Sequence, residues 1–363
     1  MKAGRVSSTI AVKAADADES TTIEADMSDP TLELSHIRFF AEDAEKSAHT
    51  LERESGLCRI EAGPWAVRAA ERTVWLRAGD AVGVVVEPRP EPRAAAYLAR
   101  HGFGVADIAL ETPDVGATYA ALVERGVEGI ERPGSVDGQL QAVVAGFGDV
   151  THTLVEPVEH DAVLIPDRNP VGVQEIDHVA FLVPGGQLEP TVEYYTRGFG
   201  FQRVFSERTE VGGQAMNSWV VTSARRSLTL TILEPDLALN PGPVDHFLKN
   251  HVGAGVQHVA YRVDDIVHAV ETLVDGGIEF LDTPDAYYDR LPDRVPSLDR
   301  DLEDLRRLGI LADQDHGGHL YQIFAHSQHP QRTSFAEIIE RRGAELFGKG
   351  NIAALYDAIR RAV

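Results

Sequence analysis

Three side chains have the types and settings to do chemistry together: His178, His258 and Glu337. Each lies in a run otherwise fit for a buried strand, namely Ile176-Asp177-His178-Val179-Ala180-Phe181, Gly253-Ala254-Gly255-Val256-Gln257-His258-Val259-Ala260-Tyr261 and Ser334-Phe335-Ala336-Glu337-Ile338-Ile339-Glu340-Arg341. Val256, His258 and Ala260 share one strand face. A neutral imidazole on such a face is more often a hydrogen-bonded core residue than a ligand, so His258 needs partners. Eighty residues separate His178 from His258 and seventy-nine separate His258 from Glu337, which suits delivery by successive structural modules rather than by one loop. Two imidazoles and one carboxylate are the set that holds Fe(II) on one face of its octahedron and leaves the other positions open for substrate and oxygen.

Other chemical signals are weaker. His316, His319, His326 and His329 have ligand-like spacing but stand beside glycines or in a loop-like stretch, so they read as solvated. Gly146-Phe147-Gly148 is a turn, because no Lys-Ser pair and no helix start follow it as a phosphate-binding loop requires. Packing against a neighbouring loop explains Tyr287 and Tyr288 as well as contact with substrate does, and they stay unassigned.

The whole chain narrows the function classes. Its 363 residues, 43% hydrophobic and 25% charged, suffice for two globular domains. A formal charge of -23 disfavours nucleic acid and anionic membrane surfaces by long-range repulsion, which leaves small-molecule chemistry. A single cysteine, Cys58, excludes an internal disulfide framework and any multi-thiolate metal site, and fits a reducing cytoplasm. No apolar run is long enough to span a bilayer. The sequence leaves a homo-oligomer open.

The elements that must position the three residues form a repeat. Residues 1–30, rich in Ala, Asp, Glu, Ser and Thr, read as a disordered tail. A first module runs from a strand over Leu34–Phe40 through a helix over Ala44–Glu54, which Asp43 could cap, to strands at Trp65–Ala69, Thr73–Arg77 and Val82–Val86. A second begins at Val105–Leu110, passes a helix over Val115–Arg125 and ends at Val150–Val155. After a linker over 158–172 the order returns: a strand over Ile176–Leu182, a helix over Leu188–Arg197, strands near Val204, Ser218–Thr222 and Leu228–Leu233, and a fourth module from Val256. Val105-Ala106-Asp107-Ile108-Ala109 aligns with Val256-Gln257-His258-Val259-Ala260, and Pro113-Asp114-Val115 with Asp264-Asp265-Ile266. This predicts an internal duplication with an N-terminal half over 31–157 and a C-terminal half over 173–363. Asp107 stands where the second copy has His258, and no strand like Phe335–Arg341 is expected after Val155, so the first copy reads as a scaffold without the metal site.

Gly253-Ala254-Gly255-Val256-Gln257-His258, Tyr321-Gln322-Ile323-Phe324, Glu337-Ile338-Ile339-Glu340-Arg341 and Phe347-Gly348-Lys349-Gly350-Asn351 together resemble the vicinal oxygen chelate superfamily and, within it, the iron-dependent enzymes that act on 4-hydroxyphenylpyruvate. The resemblance implies an α+β fold in which tandem β-α-β-β-β modules form two half-open barrels. It implies Fe(II) held by His178, His258 and Glu337 in the C-terminal barrel, with a 2-oxo acid and O2 as reactants and no separate 2-oxoglutarate. Ser218, Thr231, Gln322 and Ile352 are the expected substrate-orienting residues, with Gln257, Leu233, Phe324 and Phe347 in the pocket wall.

One branch of that group makes homogentisate and the other makes 4-hydroxymandelate. The first typically has proline where Thr231 stands, asparagine where Leu233 stands and phenylalanine where Ile352 stands, so this chain resembles the second. That branch implies a role in supplying hydroxyphenylglycine for a peptide antibiotic. The chain departs from the dioxygenase pattern at Pro243, where glutamine is usual, and at Ala336, where bulkier apolar residues are usual. Asn351 is expected to cap a terminal helix whose apolar face is Ile352, Leu355, Tyr356 and Ile359. Tandem modules of this superfamily can also act as metal-free binders of small molecules; the retained His178, His258 and Glu337 argue against that reading.

Overall fold

The duplication expected from the sequence is present as two eight-stranded mixed sheets of identical strand order. A computed structural model describes residues 31–61, 71–88, 92–158, 168–348 and 350–355. The tail over 1–30, the strand expected at Trp65–Ala69, most of the linker, Lys349, Tyr356 and Ile359 lie outside these residues.

The first sheet comprises β1 (Glu33–Phe40), β2 (Cys58–Ile60), β3 (Arg72–Ala78), β4 (Ala81–Glu87), β5 (Gly104–Glu111), β6 (Gly129–Val136), β7 (Gln139–Ala145) and β8 (Thr151–Val155), ordered β2-β3-β4-β1-β5-β8-β7-β6. The second comprises β9 (Val173–Leu182), β10 (Gln202–Val211), β11 (Gln214–Thr222), β12 (Thr229–Pro235), β13 (Gly255–Val263), β14 (Leu311–Gln314), β15 (His319–Phe324) and β16 (Phe335–Arg342), ordered β10-β11-β12-β9-β13-β16-β15-β14. Each sheet curls into a half-open barrel, giving an α+β fold.

Helices cover the outer faces, and their starts repeat as the strands do. Asp43 caps α1 (Ala44–Ser55), Asp114 caps α3 (Val115–Glu124) and Asp265 caps α6 (Ile266–Asp275), each side chain accepting from a backbone N–H of the first turn. The aligned pair Asp114 and Asp265 thus performs one job in both copies. The helix expected over Leu188–Arg197 is α4 (Leu188–Glu193) followed by a π-helical turn, Tyr194–Gly198. Further helices lie at α2 (Pro92–His101), α5 (Pro243–His251), α7 (Asp285–Arg294) and α8 (Leu302–Leu308). Among the described residues no helix is long and apolar enough to cross a membrane.

No strand of the first sheet follows Val155 among the described residues, and the place of β16 in the first copy is taken by β8 itself, the strand read as the end of the second module. β8 pairs parallel with β5, Asp107 opposite Thr151 and Leu110 opposite Leu154, as β16 pairs with β13. The difference lies in side chains, since β8 carries Thr153 at the register of Glu337.

The two halves share a continuous core that runs behind both sheets, including Ile108, Leu154, Phe181, Tyr195 and Tyr261. Phe147, in the turn read from Gly146-Phe147-Gly148, stacks on Phe181 at 3.5 Å between ring centroids. His152 of β8 bridges the halves: Nδ1 lies 2.9 Å from the Ile108 carbonyl and Nε2 lies 2.8 Å from the Tyr195 hydroxyl. Because a carbonyl only accepts, Nδ1 carries the proton, and Nε2 accepts from Tyr195. His329, expected to be solvated, is buried, with Nε2 3.0 Å from Glu54 and its ring stacked 3.7 Å from Phe103. Its partners come from the other half of the chain.

Candidate metal centre

Strand register assembles the three candidate ligands. β13 is central and buried along almost its whole length, so its backbone must find all its partners in neighbouring strands. Ala260 is the Cα partner of His178 on one side, in the antiparallel pair with β9, and of Glu337 on the other, in the parallel pair with β16. His258 is two residues back on the same face. Gly255 opens the strand because no Cβ fits there: one would stand 2.1 Å from the His251 ring.

Nε2 of His178 and Nε2 of His258 each lie 3.3 Å from Oε2 of Glu337, and one ligand atom from each residue falls within 4.8 Å of the others. All three residues are buried. Among the described residues no other group of three His, Cys, Asp or Glu side chains converges in this way.

The outer atoms of these ligands are held. Nδ1 of His178 donates to Asp177 Oδ1 at 2.9 Å, and that carboxylate is gripped by Arg341 through Nε at 2.6 Å and Nη2 at 2.8 Å. Nδ1 of His258 donates to Gln257 Oε1 at 3.2 Å. With both Nδ1 atoms committed as donors, each Nε2 is the atom directed at Glu337, the arrangement that fixes tautomer and ring orientation in metal-binding histidines. Glu337 is held in turn by Gln322, whose Nε2 donates to Oε1 at 2.9 Å. Gln322 Oε1 accepts from Asn351 Nδ2 at 3.0 Å, and Asn351 Oδ1 accepts from Tyr287, whose hydroxyl also lies beside Arg294.

The electrostatics fit a cation. Burial opposes charge on His178, yet the Glu337 and Asp177 carboxylates outweigh it and push the ring up to about 9. Burial, and then the charge of His178, hold His258 well below the usual histidine range. For Asp177 too, burial works against the ionised form, but Arg341 beside it holds the carboxyl well below the usual carboxylate range. The site therefore concentrates negative charge against two imidazole nitrogens in a buried pocket, and a divalent cation with N and O preference would replace the proton on His178.

A cavity of about 60 Å³ opens beside the three residues. Every side chain expected at the substrate site borders it: Ser218, Thr231, Gln322, Ile352, Gln257, Leu233, Phe324 and Phe347. Thr231 Oγ1 is buried and has no hydrogen-bond partner in the protein. Ser218 Oγ donates to the Glu207 carbonyl at 3.3 Å, while Phe347 meets His178 edge-on at 4.8 Å. Pro243, the first residue of α5, is in the wall, whereas Ala336 packs away from the cavity in the core behind β16.

Asn351 does not cap the helical turn over 350–355. Asp313 of β14 does, accepting from the N–H groups of Gly350 at 2.6 Å and Asn351 at 3.3 Å, which frees the Asn351 amide to bind Gln322. Asn351, Asp177, Arg341 and Tyr287 are the supporting residues that reading the sequence missed. The signals available were the adjacency of Asp177 to His178 and the places of Arg341 and Asn351 in the runs quoted above.

The chain matches the Glyoxalase/Bleomycin resistance protein/Dioxygenase superfamily over residues 33–156 and 175–323. It is 31% identical over 302 residues to a 4-hydroxyphenylpyruvate dioxygenase from Yarrowia lipolytica, covering 75% of this chain and 76% of that one. It is 30% identical over 292 residues to the protein of that name from Dictyostelium discoideum, covering 74% and 80%. Among solved structures, a triple mutant of 4-hydroxymandelate synthase from Streptomyces coelicolor superposes with a TM-score of 0.80 at 37% identity, covering 92% of this chain and 99% of that one.

Proposed function

We propose a function from the premise that this chain belongs to the Glyoxalase/Bleomycin resistance protein/Dioxygenase superfamily and, within it, to the 4-hydroxyphenylpyruvate dioxygenase family. The reading is an Fe(II)-dependent oxygenase that converts 4-hydroxyphenylpyruvate and O2 to 4-hydroxymandelate and CO2, with His178, His258 and Glu337 as the metal ligands. Atoms balance: the 2-oxo acid loses its carboxyl carbon as CO2, one oxygen atom completes the new carboxylate, and the other becomes the benzylic hydroxyl. Bound Fe(II) would supply the redox chemistry that activates O2 and would chelate the 2-oxo acid.

What the protein supplies is orientation. Gln257, Gln322, Ser218 and Thr231 place the polar groups in an otherwise apolar cup, and the unpartnered Thr231 hydroxyl is available to the substrate. Phe324 and Phe347 offer ring faces and edges beside the metal site, and Leu233, Val244 and Leu355 exclude water from it. Displacement of the phenyl group by a fraction of its own width then changes which carbon lies nearest the metal.

One observation carries the choice of product. The three positions at which the sequence leans toward the mandelate-forming branch, Thr231, Leu233 and Ile352, all border this one cavity. Residues that differ between branches and meet around the substrate can redirect attack without altering the ligands. The second reading, ring attack to give homogentisate, is supported by the relatives from Yarrowia and Dictyostelium, which carry the dioxygenase name.

Incubation of the Fe(II)-loaded protein with 4-hydroxyphenylpyruvate and air tests both. The two products are isomers, so they must be separated by retention against authentic standards rather than by mass. 4-Hydroxymandelate with stoichiometric CO2 is the expected result. Homogentisate would transfer the assignment to the second reading, and absence of any iron-dependent consumption of substrate would remove the oxygenase reading.

A further inference from the structure

Duplication leaves a second cup, and its polar groups are not all used. In the first sheet Ala109 is the Cα partner of His36, as Ala260 is of His178. Asp107 and Thr153 complete the comparison with His258 and Glu337. The N-terminal cup encloses about 630 Å³, far more than the cavity at the metal centre.

Asp107 is 4% exposed and borders this cavity. Its Oδ2 accepts from Thr151 Oγ1 at 2.7 Å and Thr153 Oγ1 at 2.9 Å, whereas Oδ1 is buried and has no partner. Arg38 is its Cα partner across the β1–β5 pair. One Arg38 terminal nitrogen, Nη2, donates to Glu71 at 2.9 Å, but Nε is buried and has no acceptor. A buried acceptor and a buried donor left unmade each cost about 1 to 3 kcal/mol, so a molecule that completed both would gain directly from doing so.

We propose that the N-terminal cup is a second small-molecule site, built for an α-amino-acid zwitterion whose ammonium meets Asp107 Oδ1 and whose carboxylate meets Arg38 Nε. Neighbouring residues on adjacent strands place the two groups side by side, as the two charges of a zwitterion are. Among the described residues the wall argues against a plain anion such as a 2-oxo acid: Arg38, Arg93 and Arg100 face Glu71, Asp107, Glu128, Glu131 and Asp149, an acidic excess that repels net negative charge and admits a ligand carrying its own positive one. Phe40 and Tyr97, packed edge to face at 5.5 Å, form an apolar wall suited to an aromatic or aliphatic side chain. Burial raises the Asp107 carboxyl, and an ammonium beside it would reverse that shift.

The test is calorimetric titration of the intact, iron-loaded protein with L-phenylalanine, and separately with phenethylamine and 3-phenylpropionate, each of which lacks one charge. Expected is one-to-one saturable binding of L-phenylalanine, with each single-charge analogue weaker by at least about tenfold. Binding should persist in His258→Ala, which disrupts the other cup, and weaken at least about tenfold in Asp107→Asn and in Arg38→Gln. Asp107→Asn is nearly isosteric, and a thermal melt of each variant separates lost binding from lost fold; Arg38→Gln reads the carboxylate half alone. No saturable binding at millimolar concentration, equal binding of either analogue, loss in His258→Ala, or unchanged binding in folded Asp107→Asn or Arg38→Gln would each overturn the proposal. None of these outcomes bears on product formation at the metal centre.

Discussion

Gln322 donates to one oxygen of Glu337, Oε1, and so leaves the other, Oε2, as the atom that both imidazoles approach. A carboxylate on a strand can rotate about its last bond, and this hydrogen bond selects one rotamer. Partners of metal ligands typically contribute about 10- to 100-fold in metal affinity or activity. Gln322→Leu, which keeps the volume and removes the donor, is therefore expected to lower turnover or iron affinity by a factor in that range. Turnover and iron content both within twofold of the parent would show that Glu337 is positioned by packing alone.

Loss of a ligand should be more severe than loss of its support. His178→Ala, His258→Ala and Glu337→Ala are each expected to abolish iron-dependent turnover and to reduce bound iron sharply, because a three-ligand site that loses one member loses affinity and geometry together. Metal analysis beside circular dichroism is the check. A folded variant that kept near-normal iron and turnover would remove its residue from the site.

The three candidate ligands stood out in the sequence because a charged or imidazole side chain in an apolar strand is conspicuous against its neighbours. The likeness of the two halves followed from the repeat, and Asp43 caps its helix as expected. What could not be read was anything that depends on register or on distant chain. Ala260 gives no hint that it stands between His178 and Glu337, and Arg341 reaches Asp177 across 164 residues. His329 looked solvated because Glu54 and Phe103, which enclose it, belong to the other half. α7 carries Pro292 within it, a residue that normally argues against helix interior, and so left no signal. Asn351 has the residue type of a cap, but Asp313 from another strand takes that role.

Stability should fall in acid through His152. Burial lowers its pKa from 6.5 to about 4 against the opposing hydrogen bond to the Ile108 carbonyl, and the neutral ring accepts from Tyr195. The unfolded chain then binds more protons between those values, so the stabilisation is fully present above about pH 6.5 and is lost as pH falls towards 4, with a total of about 3 kcal/mol. His251, lowered to about 4 chiefly by burial, adds to the same window. His152→Gln should lower stability at pH 7 but flatten its dependence between pH 6.5 and 4 by up to about 1.4 kcal/mol per pH unit. Denaturant titrations across that range decide it: a slope equal to the parent's would mean that His152 is not a source of the acid sensitivity.

Ile352 provides the sharpest test of product choice. It borders the cavity with Thr231 and Leu233 and packs against the apolar cluster of Ala180, Leu182, Met216, Leu233, Val244 and Phe247, so its shape helps set where a phenyl ring can lie. Ile352→Phe replaces a branched side chain with a flat one and should shift product from 4-hydroxymandelate towards homogentisate. Positional changes of about 1 Å can alter rates by roughly a hundredfold, so a modest tilt is enough to change the ratio of two competing attacks. A purely structural role predicts something else. In that case the larger ring overpacks the contact between the terminal helical turn and the cluster, and stability drops by about 1 to 3 kcal/mol while the ratio of products stays fixed. Product analysis beside a thermal melt separates the two, and lower stability with an unchanged ratio would end the steering argument.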